Sequence, residues 1–285
     1  MPDGFDFALR LLPEELRRGL DPAWRTRAEE IRLRCGGLPT VLLGERETPF
    51  SARSVTEEML ASVTEAATDS SYHAFSGALR RGYLTAAGGV RVGVCGTAAG
   101  DGQVETIRAV SSVSIRIPRQ ERGAGREIMD RLGGESVLIL SPPGAGKTTF
   151  LRELVRTVSD RGVRVALADE RGEIAAVWHG VPQFDVGKST DVLTGAPKAE
   201  AALMLLRAMN PQVIALDELS DPADTAAAER LAGCGVQIFA TVHAPDISAL
   251  KSMPRLRALL RARVFRQAVV IARAGGRRSY AVCAL

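Results

Sequence analysis

Apolar positions in the first 120 residues follow helical spacing in some stretches and strand spacing in others. Val55, Met59, Leu60 and Val63 recur every few positions, which predicts a helix. Later runs are rich in Val, Ile, Thr and Gly and alternate over short distances, as antiparallel strands do. This first part of the chain is therefore predicted to be a mixed α+β domain. The predicted elements are one or two amphipathic helices over 12–34, a strand over 40–43, a helix over 54–75, and strands over 82–99 and 105–117.

The pattern changes after residues 118–127, where Pro, Gly and charged residues cluster as they do in linkers. Apolar runs then alternate with helical stripes, the order that produces a mostly parallel sheet with crossover helices. We therefore predict an α/β domain over 121–285, preceded by a smaller domain over 1–120. Its predicted elements are strands over 136–140, 163–170, 212–218 and 236–243, helices over 148–162, 198–210 and 225–235, and a closing hairpin over 265–282.

Charge is distributed unevenly along the 285 residues, although the net formal charge is only +4. Residues 126–246 carry 12 basic and 17 acidic residues, whereas residues 247–285 carry nine basic residues and no acid. The basic segment suits an anionic lipid surface, a nucleic acid or an acidic protein partner. It is equally consistent with a solvated face beside an acidic neighbouring subunit.

Targeting and redox signals are weak in this sequence. Pro13 and several charges interrupt the first 20 residues, so they do not resemble a signal peptide. No run approaches the roughly 18–20 apolar residues of a membrane span, and we expect a cytoplasmic protein. The cysteines contain no Cys-x-x-Cys pair, so we expect buried free thiols and no structural metal. They are Cys35, Cys95, Cys234 and Cys283.

A phosphate-binding loop is predicted at residues 141–149, between a predicted strand and a predicted helix. The sequence matches G-x-x-x-x-G-K-[ST] except that Ser141 replaces the first glycine, which is tolerated if its φ is not positive. In this motif backbone N–H groups surround phosphates, the lysine reaches the β/γ-phosphates and the hydroxyl binds magnesium. We therefore predict that ATP and Mg²⁺ bind here, the alternative being a flexible turn before a helix. The predicted nucleotide-binding residues are Pro143, Gly144, Ala145, Gly146, Lys147, Thr148 and Thr149.

Acidic and polar residues end the other predicted parallel strands. Asp217 and Glu218 follow an apolar run about 70 residues after the lysine. We predict that Asp217 binds Mg²⁺ together with Thr148, and that Glu218 polarises the attacking water. In an open parallel sheet, ligands bind at the carboxyl ends of the strands, so the other strand ends belong to the same candidate site. These further residues are Asp169, Glu170, Glu173, Thr241 and His243.

His243 and several arginines are candidates for sensing or stabilising phosphate. We interpret His243 as a γ-phosphate or water sensor, with a structural histidine as the alternative. Phosphoryl transfer also needs positive charge on the developing oxyanions. Arg207 is a candidate from the same subunit, and Arg91, Arg108 and Arg116 are candidates from a neighbouring subunit. For each arginine taken singly, a surface salt bridge is the competing explanation.

The order of these motifs resembles the secretion or traffic ATPases of type II secretion and type IV pili. It resembles still more closely the stage III sporulation protein AA family. The similarity is carried by the phosphate loop and by "DERGEIA", "PKAEAALMLLRAMNPQVIALDE" and "TVHA", and it extends to "EEIRLRCGGLP", "GYLTAAGGVRVGVCG" and "VSSVSIRIPR" in the first domain.

The resemblance implies a RecA-like P-loop NTPase core after a small α+β domain, and a homo-oligomer, a hexameric ring with ATP between subunits. It implies Glu170 and Glu218 as catalytic carboxylates and His243 as the histidine of the His box. It also implies inner-membrane channel proteins as partners, at the cytoplasmic, mother-cell face of a channel to the forespore. The departures from the family pattern are Ser141 and Ser220, each standing where glycine is usual.

Three functions are compatible with these residues. The first is an ATP-hydrolysing motor, which the carboxylate Glu218 beside the magnesium ligand favours. The second is a nucleotide-gated scaffold with little turnover. The third is a nucleic-acid-stimulated ATPase, which the basic segment suggests. The first domain lacks the aromatic platform on which single-strand binders stack bases, so we expect no nucleic acid partner.

Overall fold

The computed structural model describes residues 3–69, 82–100, 106–119, 123–274 and 277–285. The chain divides into two compact units. Unit 1 comprises residues 1–119 together with 178–183, and unit 2 comprises 120–177 and 184–285. The sequence did not indicate that residues 178–183 belong with unit 1. Within unit 1, the N–H of Gly88 donates to Oε1 of Gln183 at 2.8 Å.

Unit 1 is built on an antiparallel sheet. The described helices and strands are α1 (Gly4–Leu11), α2 (Glu14–Arg17), β1 (Ala28–Arg34), β2 (Thr40–Leu43), β3 (Arg46–Pro49), α3 (Glu57–Thr68), β4 (Tyr83–Thr85), β5 (Arg91–Ala99) and β6 (Thr106–Arg116). The strand order is β3-β2-β1-β6-β5-β4, and every pairing is antiparallel. One face of the sheet packs with α1 and α3 into a single apolar core.

The helix predicted over 12–34 is wrong beyond residue 17. Residues 28–34 form β1, which lies between β2 and β6 near the middle of the sheet. Ile31 and Leu33 are fully buried, while Arg32 and Arg34 lie on the other face. This period of two is the strand pattern, and it was obscured by the density of charged residues around it. The predicted strand over 40–43 is confirmed as β2. Of the predicted helix over 54–75, α3 is confirmed, and residues 70–75 lie outside the described ranges.

Unit 2 is built on a mostly parallel sheet. Its described elements are α4 (Ala124–Met129), β7 (Val137–Ser141), α5 (Lys147–Asp160), β8 (Val165–Asp169), β9 (Thr190–Thr194), α6 (Lys198–Met209), β10 (Val213–Leu216), α7 (Pro222–Gly233), β11 (Gln237–His243), α8 (Ile247–Ser252), α9 (Arg257–Arg261), β12 (Gln267–Ala274) and β13 (Arg277–Ala284). The strand order is β13-β12-β7-β11-β10-β8-β9, and β13 alone among these strands is antiparallel to its neighbour.

Apolar side chains cover both faces of the parallel sheet. Every residue of β7, β8 and β10 is buried, because helices pack against both sides. One core contains residues of α6 and α7, and the other contains residues of α4 and α5. The predicted strands, crossover helices and closing hairpin of this half are confirmed. The short elements α4, β9, α8 and α9 were not predicted, and α4 begins within the segment 118–127 that was interpreted as a linker.

The expectation of buried thiols is wrong. Cys35, Cys95 and Cys234 are exposed and Cys283 is half-buried, and all four are free. Cys35 follows β1, Cys95 lies on the polar side of β5, and Cys234 follows α7, so none of these three points into a core. No helix within the described ranges is long and apolar enough to cross a membrane.

Candidate nucleotide-binding site

The predicted phosphate loop connects the end of β7 to the start of α5. Gly144 has φ of 72° and Gly146 has φ of 105°, in the left-handed region that favours glycine. Ser141 is the last residue of β7, is fully buried and is not among the residues with positive φ. Its Oγ donates to the carbonyl oxygen of Pro142 at 2.8 Å. The backbone therefore does not require glycine at position 141, which meets the condition set by the sequence.

Sheet topology brings the predicted strand ends together. β7 pairs with β11, β11 pairs with β10, and β10 pairs with β8, all in parallel. The carboxyl ends of these four strands therefore meet at one edge of the sheet, where the phosphate loop also lies. Ser141 at the end of β7 lies directly opposite His243 at the end of β11.

Lys147, His243 and Glu218 form a chain of polar contacts. Lys147 Nζ lies 2.8 Å from His243 Nδ1, and His243 Nε2 lies 3.7 Å from Glu218 Oε1. An ammonium group only donates, so Nδ1 must accept and the imidazole proton belongs on Nε2, towards Glu218. Burial lowers the pKa of Lys147, and the negative charges of Asp217 and Glu218 oppose this effect. The lysine is thus held by histidine at the base of the loop.

Asp217 is a half-buried carboxylate with two hydroxyl partners. Thr241 Oγ1 donates to Asp217 Oδ1 at 2.9 Å, and Thr148 Oγ1 lies 3.4 Å from Oδ2. Burial raises the pKa of Asp217, and the neighbouring Glu173 and Glu218 raise it further, against the hydrogen bond from Thr241. A carboxylate oxygen beside a hydroxyl oxygen is a donor set that suits Mg²⁺, which prefers hard oxygen ligands. The predicted metal ligands Thr148 and Asp217 therefore fit the ion.

Thr241 also shapes the turn that carries Glu218. The N–H of Glu218 donates to Thr241 Oγ1 at 2.8 Å, and the N–H of Leu219 donates to the Thr241 carbonyl at 2.9 Å. Glu218 has φ of 39°, a left-handed conformation that is strained for a residue with a side chain. Its carboxylate is about one-third exposed, at 34%. The fully buried hydroxyl of Thr241 thus couples the positions of Asp217 and Glu218.

Asp169 is the last residue of β8, and its buried carboxylate bonds to the loop that follows. Its carboxylate accepts the N–H groups of Glu173, Ile174 and Ala175 at 2.9, 3.2 and 2.8 Å. The side chain is 1% exposed, and burial raises the pKa of Asp169 against these three hydrogen bonds. Asp169 therefore orders the loop that brings Glu173 close enough to influence Asp217.

Arg152 supports the same loop from α5 and was not predicted. Its guanidinium donates to the carbonyl oxygens of Glu173 and Ile174 and lies 4.2 Å from the ring centre of Phe184. Burial lowers the pKa of Arg152 to about 10, against the attraction of nearby carboxylates. The only sequence signal was its spacing of four residues after Thr148, which places both on one helical face.

Glu170 contacts Lys198, another residue that the sequence did not identify. Lys198 begins α6, and its Nζ lies 3.4 Å from Glu170 Oε2 and 3.1 Å from Asp224 Oδ2. Burial opposes the charged form, but Asp224 and Glu170 together raise the pKa of Lys198. Glu170, Lys198, Asp217 and Glu218 line one small cleft between the ends of β8 and β10.

Arg207 is not brought to this site. It is exposed in the last turn of α6, and its Nε donates to the carbonyl of Leu203 within the same helix. It lies nine positions after Lys198 in the helix, which corresponds to about 13 Å along the axis. Because α6 starts at the edge that carries the site and runs away from it, Arg207 lies towards the opposite edge.

The other arginine candidates lie in unit 1. The Arg91 guanidinium lies 3.8 Å from the ring centre of Tyr83, and Arg116 Nε lies 3.3 Å from Glu30 Oε2. Together with Arg32 and Arg34, they line an open cavity of about 330 Å³ on the polar face of the sheet. Arg108 is exposed on β6.

The sequence matches a known protein family along nearly its whole length. The family model for sporulation stage III, protein AA matches residues 7–280. The chain is 33% identical over 280 residues to the stage III sporulation protein AA of Bacillus subtilis, covering 93% of this chain and 90% of that protein.

Two solved structures share the fold. The ATPase DotB of Legionella pneumophila has a TM-score of 0.60 at 17% identity, covering 93% of this chain and 78% of that one. The pilus retraction motor PilT, solved with bound ADP, has a TM-score of 0.64 at 16% identity, covering 90% and 78%. At such identities the likeness shows the fold alone, here a RecA-like P-loop core. Taken with the family match, these findings show that the chain belongs to the stage III sporulation protein AA family.

Proposed function

We propose that this protein is a Mg²⁺-dependent ATPase. The observation that carries the proposal is the convergence of Lys147, Thr148, Asp217, Glu218 and His243 at one edge of the parallel sheet. A phosphate loop alone supports binding. A carboxylate one residue after the metal ligand Asp217, held in a strained turn, supports hydrolysis, because binding does not require it.

Each side chain has a distinct part in the proposed reaction. Backbone N–H groups of residues 143–149 hold the phosphate chain, and Lys147 leaves His243 to reach the β- and γ-phosphates. Thr148 and Asp217 would hold Mg²⁺, which would neutralise charge on the phosphate oxygens. Glu218 orients the attacking water and accepts its proton. His243 moves from Lys147 to the γ-phosphate or the water, and Glu170 contributes a second carboxylate beside Glu218.

We further propose that the protein works as a ring, with hexamers as the expected assembly. Family membership and the fold shared with DotB and PilT support this proposal. In such a ring, Arg91 or Arg116 of one subunit stabilises the phosphates bound to the next. The ring energises a secretion-like channel between mother cell and forespore, at the cytoplasmic face of the membrane and in contact with channel proteins.

Nucleotide binding is tested by titrating ATP and Mg²⁺ into the protein and its Lys147→Ala variant in a calorimeter. We expect the variant to bind ATP at least tenfold more weakly, because the loop loses its charged contact with the phosphates. Lys188→Ala is the matched control, since Lys188 is an exposed lysine of the same unit. Unchanged affinity in Lys147→Ala refutes the assignment of the loop.

The proposal that neighbouring subunits share one active site is tested by mixing two inactive variants. Glu218→Gln lacks the catalytic carboxylate, and Arg91→Ala or Arg116→Ala lacks the proposed arginine. If the arginine acts on the neighbouring subunit, mixed rings contain some complete sites and regain hydrolysis. Mixtures that stay as inactive as their components contradict the proposed arrangement.

A further inference from the structure

Arg278, on the last strand of the chain, lies against the phosphate loop of its own unit. Its Nε donates to the carbonyl oxygen of Ala145 at 3.0 Å. A Cβ placed on Gly146 would lie 2.7 Å from Nε and 2.8 Å from Cζ of Arg278. The guanidinium therefore packs on the backbone of residues 145 and 146.

The core of unit 2 fixes the position of this arginine. Tyr280, two residues further along the same face of β13, stacks on Phe150 of α5 with ring centres 5.0 Å apart. β13 pairs with β12 along its length, and β12 pairs in parallel with β7, the strand that leads into the loop. Val269 and Ile271 of β12 are fully buried. Arg278 is thus held by packed strands beside the loop.

A hydrogen bond to the Ala145 carbonyl has a direct effect on the nucleotide side of the loop. The carbonyl of Ala145 and the N–H of Gly146 belong to the same planar peptide unit and point in opposite directions. Holding the oxygen therefore sets the direction of the Gly146 N–H. In this motif such N–H groups surround the phosphates. The guanidinium also adds positive charge within a few ångströms of that position.

We propose that Arg278 is a nucleotide-positioning residue, which orients the 145–146 peptide and favours binding of nucleoside di- and triphosphates. The inference rests on the proposed nucleotide binding and extends it to the closing hairpin. Phosphate-bearing nucleotides are the predicted ligands, because both the oriented N–H and the positive charge act on phosphate and neither acts on the base. The competing explanation is that Arg278 merely fastens the hairpin to the core.

The test compares three substitutions at this position. Arg278→Ala removes the hydrogen bond and the charge, and Arg278→Gln keeps a hydrogen-bond donor without the charge. Arg278→Lys keeps the charge but replaces the planar guanidinium with a compact ammonium group. Arg266→Ala is the control, because Arg266 lies before β12, is exposed and contacts Glu135. Dissociation constants for ATP, ADP and adenosine are measured by calorimetry, and unfolding temperatures are measured with and without nucleotide.

We expect Arg278→Ala to weaken ATP and ADP binding about tenfold, equivalent to about 1.4 kcal/mol, with a smaller loss in Arg278→Gln and Arg278→Lys. Adenosine binding and the Arg266→Ala control should match the wild type. In steady-state assays KM should rise while kcat changes less. The unfolding temperature without nucleotide should be nearly unchanged, and the increase caused by ATP should shrink.

The outcomes separate this inference from the proposed function. If wild type and Lys147→Ala both fail to bind ATP, nucleotide binding itself is wrong. If wild type binds ATP, Lys147→Ala does not, and the Arg278 variants bind as wild type does, only the role of Arg278 is refuted. A lowered unfolding temperature with normal nucleotide affinity also refutes it, in favour of a fastening role. If Arg278→Ala fails to fold, the nucleotide affinities and unfolding temperatures of Arg278→Gln and Arg278→Lys decide whether Arg278 positions the nucleotide. Normal affinity in both variants refutes the proposal.

Discussion

Replacing Thr241 with valine removes one hydroxyl group that is bonded to both acidic residues of the candidate site. The hydroxyl accepts the N–H of Glu218 at 2.8 Å and donates to Asp217 Oδ1 at 2.9 Å, and the side chain is fully buried. Valine has nearly the same shape, so the packing is preserved while the two polar partners lose their bonds. The substitution therefore measures the contribution of these two hydrogen bonds to stability and activity.

The expected cost follows from these two bonds. A hydrogen bond to a charged group contributes about 1.5–3 kcal/mol, and the second bond, to the partly buried N–H of Glu218, adds a smaller amount. We therefore expect Thr241→Val to lower the free energy of unfolding by about 2–3 kcal/mol. For a unit of this size that corresponds to a fall of roughly 4–12 °C in the unfolding temperature.

The functional effect should be larger on hydrolysis than on binding. Without the Thr241 hydroxyl the N–H of Glu218 loses its acceptor, so the turn at φ of 39° relaxes towards a less strained conformation and the carboxylate moves. ATP affinity depends mainly on the phosphate loop and should change little. Thr241→Ser, which keeps the hydroxyl, should retain most of the hydrolysis rate.

The assays are calorimetric unfolding and phosphate release at saturating ATP. Our reasoning about the Thr241 hydroxyl is refuted if Thr241→Val hydrolyses ATP at the wild-type rate. It is also refuted if Thr241→Ser loses as much stability and activity as Thr241→Val, because the hydroxyl would then not be the cause.

Three further substitutions test other parts of the site. Burial raises the pKa of Asp217 in the folded state. The protonated side chain therefore stabilises the folded state fully below the pKa that Asp217 has in the unfolded chain. This stabilisation is lost as pH rises through the pKa that Asp217 has in the folded state. Asp217→Asn should therefore unfold at a higher temperature than wild type at neutral pH without Mg²⁺. This difference in unfolding temperature should vanish near about pH 4. A difference that grows on acidification contradicts the argument. Lys198→Met leaves the buried Asp224 without its cation and should cost about 1–3 kcal/mol in urea unfolding, whereas Lys198→Arg should cost less; equal losses would show that the charge is not responsible. Ser141→Gly should change ATP affinity by less than about threefold in calorimetry, since φ at this position is not positive; a large gain would mean that the serine strains the loop.

The parallel sheet was predictable because its strands are apolar along their whole length and end in polar residues. Asp217 and His243 could be placed on one edge from the strand–helix alternation alone, since parallel strands all end at the same side. β1 was not predictable in the same way. Its Arg32 and Arg34 face the polar side of an antiparallel sheet, and in a charged segment that alternation resembles a helix surface.

The residues that sequence reasoning missed act through partners that are distant along the chain. Arg278 bonds to a carbonyl 133 positions away, and Lys198 contacts carboxylates 28 and 26 positions away, one after β8 and one in the first turn of α7. Thr241 was noted at a strand end, but its bonds to Asp217 and to the Glu218 N–H depend on the pairing of β11 with β10. Such contacts are set by the topology and leave no local pattern.

The central claim, that this chain hydrolyses ATP by means of Glu218, is tested most directly by steady-state phosphate release with saturating ATP and Mg²⁺. Wild type, Glu218→Gln and the control Glu229→Gln, an exposed glutamate on α7, are compared under identical conditions. The account predicts release by wild type and Glu229→Gln, and a rate lower by about 100-fold or more in Glu218→Gln, with ATP still bound. Equal and negligible rates in wild type and Glu218→Gln, with ATP binding intact, would contradict it and favour a nucleotide-gated scaffold.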